Sequence, residues 1–241
     1  MNQKPKILVT IPNYNHAKFL KQSIESIQNQ SYGNLDICVV DDGSDNPDEV
    51  HEILEFFKDD PRVRSIFQQN TGKWHALNEA IRTSTAEICT SHDADDISLL
   101  DRIDLQIKAL LHTKSLHNLC GFYHCWNEEE VNSKIHLQHS GQVKIIPQKE
   151  VLNMVTQGFE HPGINHYFTG NFETAGVSSM FYKKIWDLGM RFHPPKNGIR
   201  VLHSEDSDFN FRVTTSFGNT SVLAEKLYLY RRETSTNQEL L

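Results

Sequence analysis

The chain has 241 residues, 38% of them hydrophobic and 23% charged, which sustains a globular core and excludes a disordered or fibrous chain. Its formal net charge of −7 argues against an extended phosphate-backbone footprint, so nucleic acid is not an expected partner. No apolar run forms a signal-peptide core or approaches the ~20 residues of a membrane span, so the expected location is the cytoplasm, compatible with peripheral contact at the inner face of the membrane. Cys38, Cys89, Cys120 and Cys125 show neither a CxxC pair nor zinc-ligand spacing and read as reduced core thiols.

Lys6 to Ile11 reads as a buried strand, followed by a helix over 17–30 with Phe19, Leu20, Ile24 and Ile27 at helical spacing. Leu35 to Val40 is a second strand ending in Asp41-Asp42-Gly43-Ser44, and Asp45, Pro47, Asp48 and Glu49 start a second helix. A strand over Val63 to Phe67, a helix over Trp74 to Arg82 and a strand over Glu87 to Ser91 repeat the alternation, and the last runs into His92-Asp93-Ala94-Asp95-Asp96. A helix is expected over 99–111, a strand over Leu119 to Trp126 and an alternating stretch over 134–146, before a Gly- and aromatic-rich region. Alternation through short loops implies right-handed crossovers and an α/β fold, a mostly parallel central sheet flanked by helices. With no linker or repeat, a mixed α+β C-terminal half extends the same sheet, giving one domain over 1–241 whose halves, 1–112 and 113–241, differ only in function.

In an open parallel sheet, ligands bind beyond the carboxyl ends of the strands. Thr10 to Asn15, Asp41 with Asp42, and Asp93 with Asp95 and Asp96 follow three strands and would line one cleft. Asp-Asp-Gly-Ser is equally an ordinary turn and helix cap. Asp-Ala-Asp-Asp is more specific: carboxylates crowded after a buried strand suit a hard divalent cation, Mg²⁺ or Mn²⁺, better than a solvated turn capping a helix at Ser98. Such an ion typically serves a diphosphate, which points to a nucleotide derivative as substrate. Neither GxGxxG nor GxxxxGK[ST] occurs, which weakens dehydrogenase and P-loop readings.

Val9-Thr10-Ile11-Pro12-Asn13-Tyr14-Asn15, Val40-Asp41-Asp42-Gly43-Ser44, Asn70-Thr71-Gly72-Lys73 with Ala76-Leu77-Asn78, and Asp93-Ala94-Asp95-Asp96 together resemble the family 2 glycosyltransferases of GT-A fold. Ser204-Glu205-Asp206-Ser207-Asp208 with Phe211-Arg212 resembles the family's late Glu-Asp element, and Leu227-Tyr228-Leu229-Tyr230-Arg231 its final strand. The resemblance implies a DXD-type, metal-dependent, inverting enzyme that moves one sugar from a nucleotide-diphosphate sugar, with UDP favoured, to a glycan or lipid-linked glycan acceptor in cell-surface polysaccharide or glycoconjugate synthesis. It implies a nucleotide-sugar site of Thr10, Pro12, Tyr14, Asp41, Asp42, Lys73, Asp93, Ala94 and Asp95. Within it Tyr14 lies against the base, Asp42 accepts from the base, Asp41 steadies the turn, Lys73 approaches the diphosphate or the base-side loop, Asp93 faces sugar and ribose, and Asp95 holds the metal. Asp206 would be the general base, with Glu205 and Asp96 supporting the site or the acceptor; one base suffices because the leaving diphosphate needs no protonating acid.

Each assignment has a plainer counterpart: Lys73 as an exposed helix-start lysine, and Glu205, Asp206 and Asp208 as charges favoured at a helix N-terminus. Phe159, His161, His166, Tyr167, Phe168 and Phe172 are either sugar-contacting or core aromatics, and His203 reads as a packing or surface residue. The Gln-x-x-Arg-Trp element and membrane helices of processive synthases are missing, which favours single-sugar transfer. The rivals are a catalytically silent nucleotide-sugar-binding subunit and a sugar nucleotidyltransferase; Pro12-Asn13-Tyr14-Asn15 lacks the Gly-rich basic loop of the latter.

Overall fold

The computed structural model describes residues 4–137, 141–146, 148–149, 177–194 and 205–232. In chain order the described elements are β1 (Ile7–Asn13), α1 (Ala17–Gln28), β2 (Leu35–Asp41), α2 (Pro47–Glu55), β3 (Val63–Phe67), α3 (Lys73–Thr83), β4 (Ile88–Ser91) and β5 (Ile97–Ser98). They continue with α4 (Arg102–Thr113), β6 (His117–Cys125), α5 (Glu128–Lys134), β7 (Val143–Ile146), β8 (Met180–Tyr182), α6 (Lys183–Asp187), α7 (Glu205–Phe217) and β9 (Thr220–Arg231).

The strands form one nine-stranded sheet in the order β3-β2-β1-β4-β8-β6-β9-β5, with β7 on β9. β3, β2, β1 and β4 are mutually parallel, as short alternating loops require. β8 runs antiparallel to both β4 and β6, and β6 pairs parallel with β9, so β4, β6 and β9 all end at the same edge as β1 and β2. The second half therefore extends the first half's sheet.

Every residue of β1 and β2 is buried, because helices cover both faces. Ile7, Val9 and Ile11 face Ile24 and Ile27 of α1 and Ile103 and Ile107 of α4. Leu8, Cys38 and Cys89 face Ala76, Leu77 and Ala80 of α3 and Phe209 and Val213 of α7. Period-2 alternation in the strands thus meets period-3.6 stripes on the helices. All four cysteines are buried and unpaired, and burial pushes the Cys38 and Cys89 thiols up to about 12, which fits the core-thiol reading.

Two local expectations are corrected. The helix expected from Leu99 starts at Arg102, because Ile97 and Ser98 pair with β9 and the Leu99 N–H is given to Leu227 O at 3.0 Å. Ser98 is accordingly a strand residue and not a helix cap. The stretch over 134–146 holds the end of α5, then β7. Helix α5 has its own start signal: the Asn127 side chain accepts the Glu130 N–H at 2.9 Å while Glu130 reaches back to the Trp126 N–H.

Candidate active site

Strands β1, β2 and β4 deliver their carboxyl ends to one edge. Thr10, Pro12 and Asn13 are buried at the end of β1, and Tyr14 emerges with 43% of its surface exposed. Asp41 closes the first turn: it accepts Asn13 Nδ2 at 2.6 Å, Ser44 Oγ at 2.6 Å and the Ser44 N–H at 3.1 Å. Gly43 lies at φ +75°, and a Cβ there would stand 2.6 Å from the Asn70 nitrogen, so only glycine lets the turn approach the next loop. Asp42 holds that loop: Oδ1 accepts Gln68 Nε2 at 2.7 Å and the Thr71 N–H at 2.9 Å, and Oδ2 accepts the Gly72 N–H at 2.8 Å. Donors from the chain itself hold both carboxylates, Asp42 Oδ2 taking only the Gly72 N–H among the described residues.

The loop after β4 is different in kind. Asp93, Asp95 and Asp96 each offer an oxygen within 4.8 Å of the others. Burial, the Asp95 charge and Asp206 raise the Asp93 carboxyl to about 6 although Lys73 opposes them. Burial and the charges of Asp95 and Asp93 raise Asp96 well above the usual carboxylate range, although the Arg231 N–H, at 2.8 Å from Oδ1, favours its charged form. Asp96 Oδ2 is fully buried with no hydrogen-bond partner. Ala94 is buried beneath the loop, in the core shared by α1 and α4. Three hard oxygen donors, mutually repelled and with an unpartnered buried oxygen on Asp96, fit a divalent cation such as Mg²⁺ or Mn²⁺.

Helix α7 joins this loop through Lys73 at the start of α3. The Lys73 ammonium lies 2.7 Å from Asp93 Oδ1 and 3.3 Å from Glu205 Oε1. Burial works against its charge, but Asp93, Glu205 and Asp206 outweigh burial and hold the ammonium well above its ordinary value. Asp206 is half-buried beside this group, with Oδ1 accepting the Ser207 N–H at 2.8 Å. Asp208 instead pairs with Arg212, one turn along the helix, at 2.7 Å.

The structure therefore brings together Lys73, Asp93, Asp95, Asp96, Glu205 and Asp206, with Asp41 and Asp42 in a separate network two strands away, across β1. Lys73 is not a free helix-start lysine. The aromatic group from Phe159 to Phe172, Ser204 and His203 lie outside the described residues. Sequence reasoning missed His16, whose Nδ1 stands 3.8 Å from Asp95, together with His92 and Tyr228. His92 is fully buried with its ring held by Ser98 Oγ at 3.1 Å and Ser26 Oγ at 3.4 Å, and the Tyr228 hydroxyl accepts the Asp93 N–H at 2.9 Å. His92 adjoins the acidic motif, a signal that was legible; Tyr228 lies 135 residues from Asp93 and only the fold joins them.

A parallel sheet whose fourth strand opens into an acidic loop, continued by an antiparallel β8 and a returning β6–β9 pair, is the GT-A glycosyltransferase fold. The chain belongs to glycosyl transferase family 2, whose profile matches residues 8–176. The fold is shared with S. aureus TarS (residues 1–349), solved in complex with UDP, at a TM-score of 0.67 and 15% identity over 94% of this chain and 60% of that one. It is also shared with the mannosyltransferase PcManGT from Pyrobaculum calidifontis, solved with GDP-Man and Mn²⁺, at 0.63 and 19% identity over 98% and 59% of the two chains. Among sequence relatives, Escherichia coli chondroitin synthase is 33% identical over 105 residues, 44% of this chain and 15% of that protein. The chain spans less than a third of the length of the first curated relatives it matches, the match covering 15%, 17% and 29% of them. No helix among the described residues is long and apolar enough to cross a membrane.

Proposed function

We propose that this chain is a metal-dependent, inverting glycosyltransferase that moves one sugar from a nucleotide-diphosphate sugar, most favourably a UDP-sugar, to a hydroxyl of a glycan or lipid-linked glycan. The observation that carries this reading is the meeting of the crowded Asp93, Asp95 and Asp96 carboxylates with Lys73 and the start of α7, where Asp206 stands. The relatives support the donor class: TarS is solved with UDP and with UDP-GlcNAc, PcManGT with GDP-Man and Mn²⁺, and chondroitin synthase names a polysaccharide product.

In this reading residues 1–112 hold the donor. The base lies over Pro12 and against Tyr14, near Thr10 and the turn stiffened by Asp41; Asp42 offers it an acceptor, which suits the ring N–H of uracil. Asp93 and the backbone at Ala94, whose side chain points into the core, line the ribose and sugar side, and Asp95, aided by Asp96, would hold the cation. A bound Mg²⁺ or Mn²⁺ would neutralise the charge that develops on the departing nucleoside diphosphate. Lys73 turns its ammonium toward the same phosphates. Residues 113–241 take the acceptor: Asp206 accepts the proton of the attacking hydroxyl as its oxygen bonds to the anomeric carbon and the bond to the diphosphate breaks, and Glu205 keeps Lys73 in reach. The setting is the cytoplasm or the inner membrane face, in the synthesis of a cell-surface polysaccharide or glycoconjugate.

The test is release of nucleoside diphosphate from UDP-, GDP- and dTDP-sugars with Mn²⁺ or Mg²⁺, with EDTA and Asp206→Asn as controls. Release from one donor, lost on chelation and in the variant, is the expected result. A nucleotide bound but never turned over with any donor or glycan acceptor would favour a silent subunit, and release of pyrophosphate a nucleotidyltransferase.

A further inference from the structure

The acidic loop is held by a strand that lies far from it in sequence. Three bonds join it to β9: the Leu99 N–H to Leu227 O at 3.0 Å, the Asp93 N–H to the Tyr228 hydroxyl at 2.9 Å, and the Arg231 N–H to Asp96 Oδ1 at 2.8 Å. Two of the three are made by backbone groups of β9 and survive any side-chain change within β9. The Tyr228 hydroxyl is the exception.

Tyr228 is fully buried, its ring edge-on to His92 at 5.2 Å and the Arg102 guanidinium 5.7 Å from its centre. Packing alone would be served by phenylalanine, and a buried hydroxyl is costly unless it is bonded. This one accepts from the peptide that begins the acidic motif and retains its own proton. The carboxyl beside it is Asp96, whose charged form the Tyr228 hydroxyl favours while burial and its acidic neighbours oppose it. One oxygen thus touches the backbone at the first carboxylate of the loop and faces the last. Serine hydroxyls fix the adjacent His92 ring on both its nitrogens, and Ser23 Oγ donates to Asp93 O at 3.0 Å, so the Asp93 peptide is clamped on both sides.

We infer that Tyr228 is a positioning residue for the acidic loop: by accepting the Asp93 N–H, its hydroxyl sets the direction in which the carboxylates of Asp93, Asp95 and Asp96 face a cation and the diphosphate it accompanies. The inference rests on the reading of this loop as the cation and donor site. Tyr228 acts through Asp93 and Asp96 and does not itself touch substrate. Partners of this kind, one step removed from a metal, typically change metal affinity by ~10–100-fold when removed.

The test is Tyr228→Phe in the full chain, with Mn²⁺ and UDP as probes. Mn²⁺ affinity, read by electron paramagnetic resonance of the free ion in the presence of UDP, falls by about 10–100-fold. Donor KM rises, while kcat at saturating Mn²⁺ and donor returns close to that of the parent, a split that general loss of structure does not produce. If Tyr228→Phe does not fold, fluorinated tyrosines at position 228 keep the shape and make the oxygen a progressively weaker acceptor; Mn²⁺ affinity then declines in step with fluorination. Parent-like Mn²⁺ affinity in Tyr228→Phe, or a flat fluorotyrosine series, overturns the inference while leaving the donor site intact. A parent chain that binds no Mn²⁺ with UDP, GDP or dTDP overturns the site reading and the inference together.

Discussion

Asp41-Asp42 after β2 and Asp93-Ala94-Asp95-Asp96 after β4 are both acidic turns at the end of buried parallel strands, yet they are opposite in state. At the first, three donors converge on Asp41 and four on Asp42, all from the chain itself. At the second, burial and mutual repulsion raise Asp93 and Asp96, and an oxygen is left without a partner. Similar letters thus encode a fastening in one place and a strained charge cluster in the other. What separates them is the supply of donors, since Asn13, Ser44, Gln68 and the 71–72 amides all reach the first turn.

The largest expected effect lies beside the strained cluster. Asp206→Asn lowers kcat by about 10²–10⁴-fold, the usual worth of a general base, with UDP affinity unchanged; steady-state kinetics with full turnover retained would remove Asp206 from that role. Acid would blur any comparison of the two turns unless His117 is removed first. Burial lowers this histidine from 6.5 to about 4. Its unfolded form binds the extra proton between those values, so it contributes stability that is fully present above pH 6.5, is lost as pH falls, and stops changing below about 4. The loss amounts to about 3 kcal/mol at ~1.4 kcal/mol per pH unit, and urea titrations of His117→Asn should lack this limb. Asp93, raised to about 6, has the opposite sign: it stabilises the ligand-free fold below its unfolded value of 3.8 and loses that contribution as pH rises through 6.

Asp41→Ala, which orphans the Asn13 amide and the Ser44 donors, costs about 2–3 kcal/mol and lowers Tm by roughly 4–12 °C. A Tm within a degree of the parent would show that the first turn is no fastening. The smallest effect has the reverse sign. Asp95→Asn relieves repulsion among three carboxylates and raises the ligand-free stability by up to about 1 kcal/mol while abolishing the Mn²⁺ response of Tm, as expected of a strained functional cluster. Destabilisation by that substitution would place Asp95 with Asp41 instead.

The first half of the fold was legible because its code is local: full burial of β1 and β2 makes their sequences predominantly apolar, and Pro47 with Asp48 and Glu49 marks a helix start that needs no distant partner. The short strand β5 was not, since Ile97-Ser98 is a strand only because Tyr228 and Leu229 lie opposite it. The Asn127 and Glu130 start of α5 was written in the chain and went unread. In the site, the Asp-Ala-Asp-Asp crowding was visible as a pattern of charge. The clasp of Lys73 between Asp93 and Glu205 was not, because it joins α3, the β4 loop and α7, elements that meet only after the sheet is complete.

The bond between Tyr228 and Asp93 also orders events in time. β9 supplies partners to β6, β5 and β7 at once, and with the Arg231 N–H it closes both ends of the acidic loop. Contacts across so long a stretch of chain form late, after the local strand–helix units of the first half. During synthesis a ribosome-bound chain can hence display a folded first half while its cluster of carboxylates stays slack, and the proposed cation site would be complete only when nearly the whole described polypeptide has emerged.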